Sequence, residues 1–195
     1  MERLAKIITR IARRIGAFFL DRSFDPKSPP TTPNFQDAFQ AYQRGAFSYA
    51  YKIYLPLADQ GDVRAQYRLA GLYRYGRGVQ RNYVKAVELF ELAAKQGNVD
   101  AQFDLGWIYL KDELYETSYQ EAVKWLALAG EQGHTRAQSV LAWMYHKGSG
   151  VKQDDKKAFK WLNLSRELPE RASDLFLLGW MHENGRGVRQ EPYLA

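Results

Sequence analysis

Apolar side chains recur along this chain at steps of three and four, stop at a pair of glycines, and then resume. Between residues 65 and 75, Leu69 and Tyr73 fall on one face of a helix at 100° per residue, and no proline interrupts the run. A second run covers roughly 82–95, with Ala86 and Phe90 in the same relation. It closes on Gln96-Gly97, the arrangement in which a glycine takes the left-handed backbone after a helix end. Between the runs, Gly76 and Gly78 let the chain reverse through conformations that a side chain disfavours. The pattern predicts a hairpin of two helices.

The hairpin repeats. The stretch RYGRGV at 74–79 returns as HKGSGV at 146–151 and as ENGRGV at 183–188. Around these turns the register holds at Leu69, Leu105, Leu141 and Leu178, then at Ala70, Gly106, Ala142 and Gly179, and again at Ala86, Ala122 and Ala158. Tyr73, Tyr109 and Tyr145 keep step, with His182 breaking the series. A fixed period of this kind marks a solenoid, in which each unit buries its face against the next. Repeat units are expected at 65–100, 101–136 and 137–173, with an incomplete one at 174–195. Residues 34–64 read as a further hairpin with a shorter turn, carrying Gly45, Phe47, Ala50 and the closing DQGD. A glycine-rich phosphate cradle would follow a strand, whereas a Leu/Tyr-rich helix precedes these glycines.

Two departures stand out. The second unit replaces the glycine turn by Asp112, Glu113, Leu114 and Tyr115, which predicts a longer first helix or a projecting turn. The sequence stops at Ala195, in register with Ala86, so Leu177, Leu178 and Met181 are expected to be partly bare.

Ahead of the repeats, residues 1–20 set Leu4, Ile7, Ile8, Ile11, Ile15, Phe18 and Phe19 on one helical stripe. Arg3, Lys6, Arg10, Arg13 and Arg14 gather on another face. The charge-free run IGAFFL is too short to cross a bilayer. So short a helix is marginal in water and forms when its stripe docks. An anionic membrane surface would contribute up to about 1 kcal/mol per basic side chain. Docking on protein, the chain's own or a larger complex, is the second reading, and a cleaved mitochondrial presequence the third. Residues 21–33 hold Pro26, Pro29, Pro30 and Pro33 and read as a Pro-rich extended linker.

Charge sharpens this division. The net charge is +6 over 195 residues. Residues 1–33 carry seven basic side chains against three acidic, and the remainder 21 against 19. The body is thus nearly neutral, where a nucleic-acid-binding body would carry a basic face. Nucleic-acid binding survives only as an alternative through the basic leader. The absence of cysteine removes disulfides, Cys-ligated zinc and thiol catalysis.

The run Ala-x-x-x-Leu-Gly/Ala-x-x-Tyr-x-x-Gly-x-Gly-Val, followed by Lys-Ala and Ala-Ala-x-x-Gly, resembles the Sel-one-like repeat (SLR), a relative of the tetratricopeptide repeat. The resemblance covers residues 65–195. It implies an all-α solenoid, a right-handed superhelix of antiparallel helix pairs that acts as an adaptor or scaffold, often in bacteria. It also implies a concave face lined by the first helix of each pair. Carried onto this chain, that face takes Arg64, Tyr67, Arg74 and Tyr75, then Phe103, Trp107, Leu110 and Lys111. Arg136, Trp143, His146 and Lys147 follow, and then Phe176, Trp180 and Glu183. Rings interspersed with cations suit a protein or peptide partner. Trp107, Trp143 and Trp180 share one offset, so they either contact the partner or pack between units. Trp125 and Trp161 on the second helices read as core.

Catalytic chemistry is sparse. His134, His146 and His182 lie far apart, so solvated histidines are expected, although His146 and His182 are placed to approach across adjacent units. Ser149 and Lys152 match a Ser-x-x-Lys pattern of cell-wall and β-lactam hydrolases, but they fall in an inter-helix turn. The expectation is a non-enzymatic scaffold without metal, cofactor or small-molecule substrate. It is placed in the cytoplasm or at the inner membrane of a bacterium, with a mitochondrial site as the alternative.

Overall fold

A computed structural model describes residues 33–111, 118–165 and 172–187. Among the described residues there are nine helices and no strand. They are α1 (Phe35–Gln43), α2 (Phe47–Asp59), α3 (Val63–Tyr75), α4 (Tyr83–Lys95), α5 (Val99–Lys111), α6 (Tyr119–Glu131), α7 (Thr135–Lys147), α8 (Asp155–Leu164) and α9 (Ala172–Glu183). Each packs on its neighbours in chain order, which gives a solenoid of helical hairpins. The leader 1–20 with its docking side chains, the linker to residue 32, the Asp112–Tyr115 turn and residues 188–195 lie outside the described residues.

Short polar side chains start these helices. Asn34 accepts from the backbone of Gln36 and Asp37, and the Asp37 carboxylate accepts in return from the Asn34 N–H. Asp62, Asn82, Asn98, Ser118, His134 and Asp154 each accept a backbone N–H at the head of the helix that follows. Such caps contribute about 1 kcal/mol apiece. Burial alone would raise the Asp62 carboxyl, but N–H donation from Ala65 and Arg64 and the Arg64 guanidinium outweigh it and hold it below the usual range. Gly76 and Gly148 close α3 and α7 at positive φ, donating their N–H to the Leu72 and Met144 carbonyls.

The periodic residues form the core. Leu69, Leu105 and Leu141 are buried, as are Ala86, Ala122 and Ala158. Small residues let the paired helices approach: a Cβ on Gly106 would sit 2.6 Å from Leu126 Cγ. Truncating any of these leucines to alanine is a loss of about 2–5 kcal/mol. Lys85 and Lys157, from the Lys-Ala motif, lie over the rings of Tyr73 and Tyr145.

The second glycine of the turn does more than permit reversal. A Cβ on Gly78 would overlap the backbone of Phe47 and Ser48, and one on Gly187 the carbonyl of Asp155. At Gly150 it would lie 2.5 Å from the carbonyl carbon of Tyr119. Each turn is therefore seated on the first residues of the second helix in the preceding unit.

A glutamine ladder links units along the opposite edge. Gln66, Gln102 and Gln138, all buried, donate to the carbonyls of Ala58, Ala94 and Gly130. Gln96 Nε2 donates to Gln66 Oε1, and Gln132 Nε2 to Gln102 Oε1, both at 2.8 Å. Buried amides need such partners. The next station in sequence is Leu168, which has no amide to continue the ladder.

The exposed end expected at the last unit is corrected for Leu177 and Met181, whereas Leu178 is half-buried. Leu177 and Met181 are buried with Ala142, Ala158 and Leu162, because α9 turns these side chains onto α7 and α8. Among the described residues of this unit, the exposed large apolar side chains are Leu175 and Phe176.

Candidate functional site

The first helices of successive units, α1, α3, α5, α7 and α9, touch through their side chains. From α3, Arg64 Cζ lies 4.3 Å from the centroid of the Phe35 ring of α1. Arg68 Cζ lies 5.1 Å from the Phe39 centroid, 5.6 Å from that of Tyr67 and 5.9 Å from that of Tyr42. Toward α5, the Tyr67 hydroxyl donates to Asp104 Oδ2, and Arg74 Nη1 donates to Asp104 Oδ1, each at 3.2 Å. Burial pushes the Asp104 carboxyl up, against the pull of Arg74 and Tyr67. The Tyr67 phenol is raised as well, by burial first and by the Asp104 charge second.

Farther along, Phe103 on α5 is stacked on His134 at 4.4 Å, with the Arg136 guanidinium 5.4 Å from its centroid. His146 on α7 meets Trp143 and, across the unit boundary, Trp180 on α9 at 5.2 Å. Its Nδ1 lies 2.9 Å from Asp155 Oδ1, and Arg186 Nε donates to Asp155 Oδ2 at 2.8 Å.

The residues carried over from the family pattern thus divide. Tyr67, Arg74 and His146 are held in contacts between units, and Phe103 against the head of α7. Trp143 and Trp180 are half-buried against the core of the last units, whereas Trp107 at the same offset is 38% exposed. Tyr75 is 60% exposed and Phe176 71%. Arg64, Lys111, Arg136, Lys147 and Glu183 are exposed, and Leu110 is half-buried. On the second helices, Trp125 and Trp161 pack against core clusters.

Two expectations about histidine are corrected. His134 and His146 are not solvated: their side chains are 16% and 12% exposed. His134 serves as the cap of α7, a slot that Asp62 and Asn98 fill in earlier units. His146 and His182 do not form a pair either, since His182 packs edge-on against Phe159. Among the described residues no three His, Asp or Glu side chains converge on one point.

Ser149 gives its backbone N–H to the Met144 carbonyl within the turn, and among the described residues no hydrogen bond joins it to Lys152. A cleft of about 560 Å³ opens between α6, α7 and α8, lined by Gln138, Lys157, Lys160 and Trp161 among others, away from the face just described.

Two arginines outside the carried-over pattern also meet the rings of this region: Arg68 and Arg77. Arg77 Nη1 donates to the Tyr42 hydroxyl at 2.9 Å, and its Cζ lies 5.3 Å from the centroid of Tyr75 and 5.5 Å from that of Phe47. The signal available was Phe35, Phe39 and Tyr42, spaced at helical steps opposite the arginines of the next unit.

Comparison with known proteins places this architecture. The Sel1 repeat model matches residues 63–98, 99–134, 135–169 and 172–195. The chain is similar to a Sel1 repeat protein of Oxalobacter formigenes, at 28% identity and a TM-score of 0.75 over 82% of this chain and 65% of that one. It is also similar to c5321, a protective antigen of uropathogenic Escherichia coli with an SLR fold, at 28% identity and a TM-score of 0.67. That match covers 81% of this chain and 38% of the antigen, so the chain spans less than two thirds of either relative. Helicobacter pylori cysteine rich protein B shares the fold at 15% identity and a TM-score of 0.50, over 76% of this chain and all of that one. No curated protein matches the chain. The chain belongs to the Sel1 repeat family, whose members generally serve as protein–protein interaction scaffolds.

Proposed function

We propose that this chain is a non-enzymatic adaptor that holds a protein or peptide segment on the face built by its first helices. The observation that carries this reading is the exposure of Tyr75, Trp107 and Phe176 on α3, α5 and α9. Large rings left bare on one face are what a partner covers, and aromatic anchors supply much of the energy at such surfaces. The basic leader, whose Arg10, Arg13 and Arg14 would fall about a third of a turn from the Ile/Leu/Phe stripe of a helix, positions the adaptor at an anionic membrane or within a complex.

The test replaces Tyr75, Trp107 and Phe176 together by alanine in the full chain. A partner recovered from a bacterial lysate by the intact chain is lost from the triple variant, while helical circular dichroism and Tm hold. Equal recovery by both would sink the assignment of this face. For the leader, sedimentation with phosphatidylglycerol vesicles falls when Arg10, Arg13 and Arg14 become glutamine; unchanged sedimentation removes the membrane role.

A further inference from the structure

We infer that the surface shared by α1 and α3 is a site for an acidic segment of a partner protein, whose carboxylates meet Arg68 and Arg77. This deepens the adaptor reading and rests on it.

The argument begins with what holds these side chains. Four arginines of α3 and the turn after it, Arg64, Arg68, Arg74 and Arg77, each have the guanidinium carbon within 6 Å of an aromatic centroid. Rings of Phe39, Tyr42 and Tyr67 surround Arg68, and rings of Phe47 and Tyr75 flank Arg77. Ring contact satisfies the face of a guanidinium and leaves its in-plane N–H donors. Those donors form a rigid fork, and the group that matches a fork with two parallel hydrogen bonds is a carboxylate.

Carboxylates of the chain occupy only two of the four. Asp62 pairs with Arg64, and Asp104 pairs with Arg74. Among the described residues neither Arg68 nor Arg77 has an acidic partner. Arg68 is half-buried, so its hydration is already reduced and its charge is screened less than that of a free surface arginine.

The chain's own N-terminal segment is the wrong sign to fill the site, with seven basic residues against three acidic in positions 1–33. A nucleic-acid strand fits less well than an acidic peptide. Asp37, Asp100 and Asp104 stand on the same run of first helices, and the body carries 21 basic residues against 19 acidic. A peptide places discrete carboxylates beside Arg68 and Arg77 and puts neutral or basic residues where the aspartates lie.

The experiment is a selection of displayed random dodecapeptides on the immobilised full chain, followed by fluorescence anisotropy on the enriched peptides. Sequences rich in Asp and Glu are expected. Their binding weakens about tenfold in Arg68→Gln or Arg77→Gln, as for the loss of a charge-assisted pair. Binding is kept in Lys52→Gln and Lys156→Gln, which remove equal charge from exposed second-helix sites. Arg77 is exposed, so its variant keeps the test informative should Arg68→Gln fail to fold. Enriched peptides without acidic bias, or acidic peptides indifferent to both arginines, overturn this inference and leave the adaptor reading standing. No enrichment at all overturns both. Tighter binding of a short oligothymidylate than of any selected peptide, lost in the same two variants, replaces the acidic segment by nucleic acid and also overturns the inference.

Discussion

Gly150 lies so close to Tyr119 that an added Cβ would stand 2.5 Å from the Tyr119 carbonyl carbon. Two penalties therefore meet at one position. Its φ of +73° is left-handed, a conformation that costs a non-glycine residue about 1–2 kcal/mol. The overlap is with backbone, which cannot rotate away. Gly97 separates the two effects, with φ +88° and nothing within 4 Å of its would-be Cβ. Gly97→Ala is expected to destabilise by about 1–2 kcal/mol and Gly150→Ala by clearly more, about 3 kcal/mol or above, in urea unfolding. Equal losses would show that the turn is not seated as described.

His134 makes stability depend on pH. Burial holds its imidazole below the usual 6.5; Arg136 lowers it further, while Asp100 and Asp104 push it back up. Its Nδ1 accepts the Ala137 N–H and so must stay unprotonated for the cap to hold. The folded chain binds this proton less readily than the unfolded one. The contribution is therefore complete above about pH 6.5 and drains as pH falls through the window below it. His134→Asn keeps an accepting cap and forfeits the ring stack on Phe103, about 1 kcal/mol at pH 7. That deficit is expected to shrink at pH 5, and thermal melts of the two proteins across this range check it. Parallel pH profiles would exclude His134 as the source.

The Tyr54 hydroxyl is buried and, among the described residues, unpartnered, with its pKa pushed up to about 12 by burial. The ring itself packs 5.5 Å from Phe35. Tyr54→Phe keeps the ring and removes the desolvated hydroxyl, and it is expected to raise stability by about 1 kcal/mol. A loss of similar size on thermal melting would reveal a partner for that oxygen.

The hairpins were legible because one offset serves one role throughout. Leu69, Leu105 and Leu141 are buried alike, and each glycine turn recurs where the chain reverses. Contacts between units were less legible, since they depend on which residue each offset meets. Trp107 remains more exposed beside Phe103, while Trp143 is half-covered next to His146, which in turn meets Trp180. An offset fixes the direction of a side chain, not what lies in front of it. His134 was readable in principle, because QGD, QGN and QGH place Asp62, Asn98 and His134 in the same capping slot. The glutamine ladder was hidden because a period aligns like with like and says nothing of Gln66 meeting Gln96.

The seating of each turn on the unit before it gives the contacts between hairpins a direction. Gly78 rests on the head of α2, and Gly150 on the head of α6. A disturbance at the head of α2 or α6 therefore reaches the turn of the unit that follows it, and the coupling between hairpins carries the polarity of the chain.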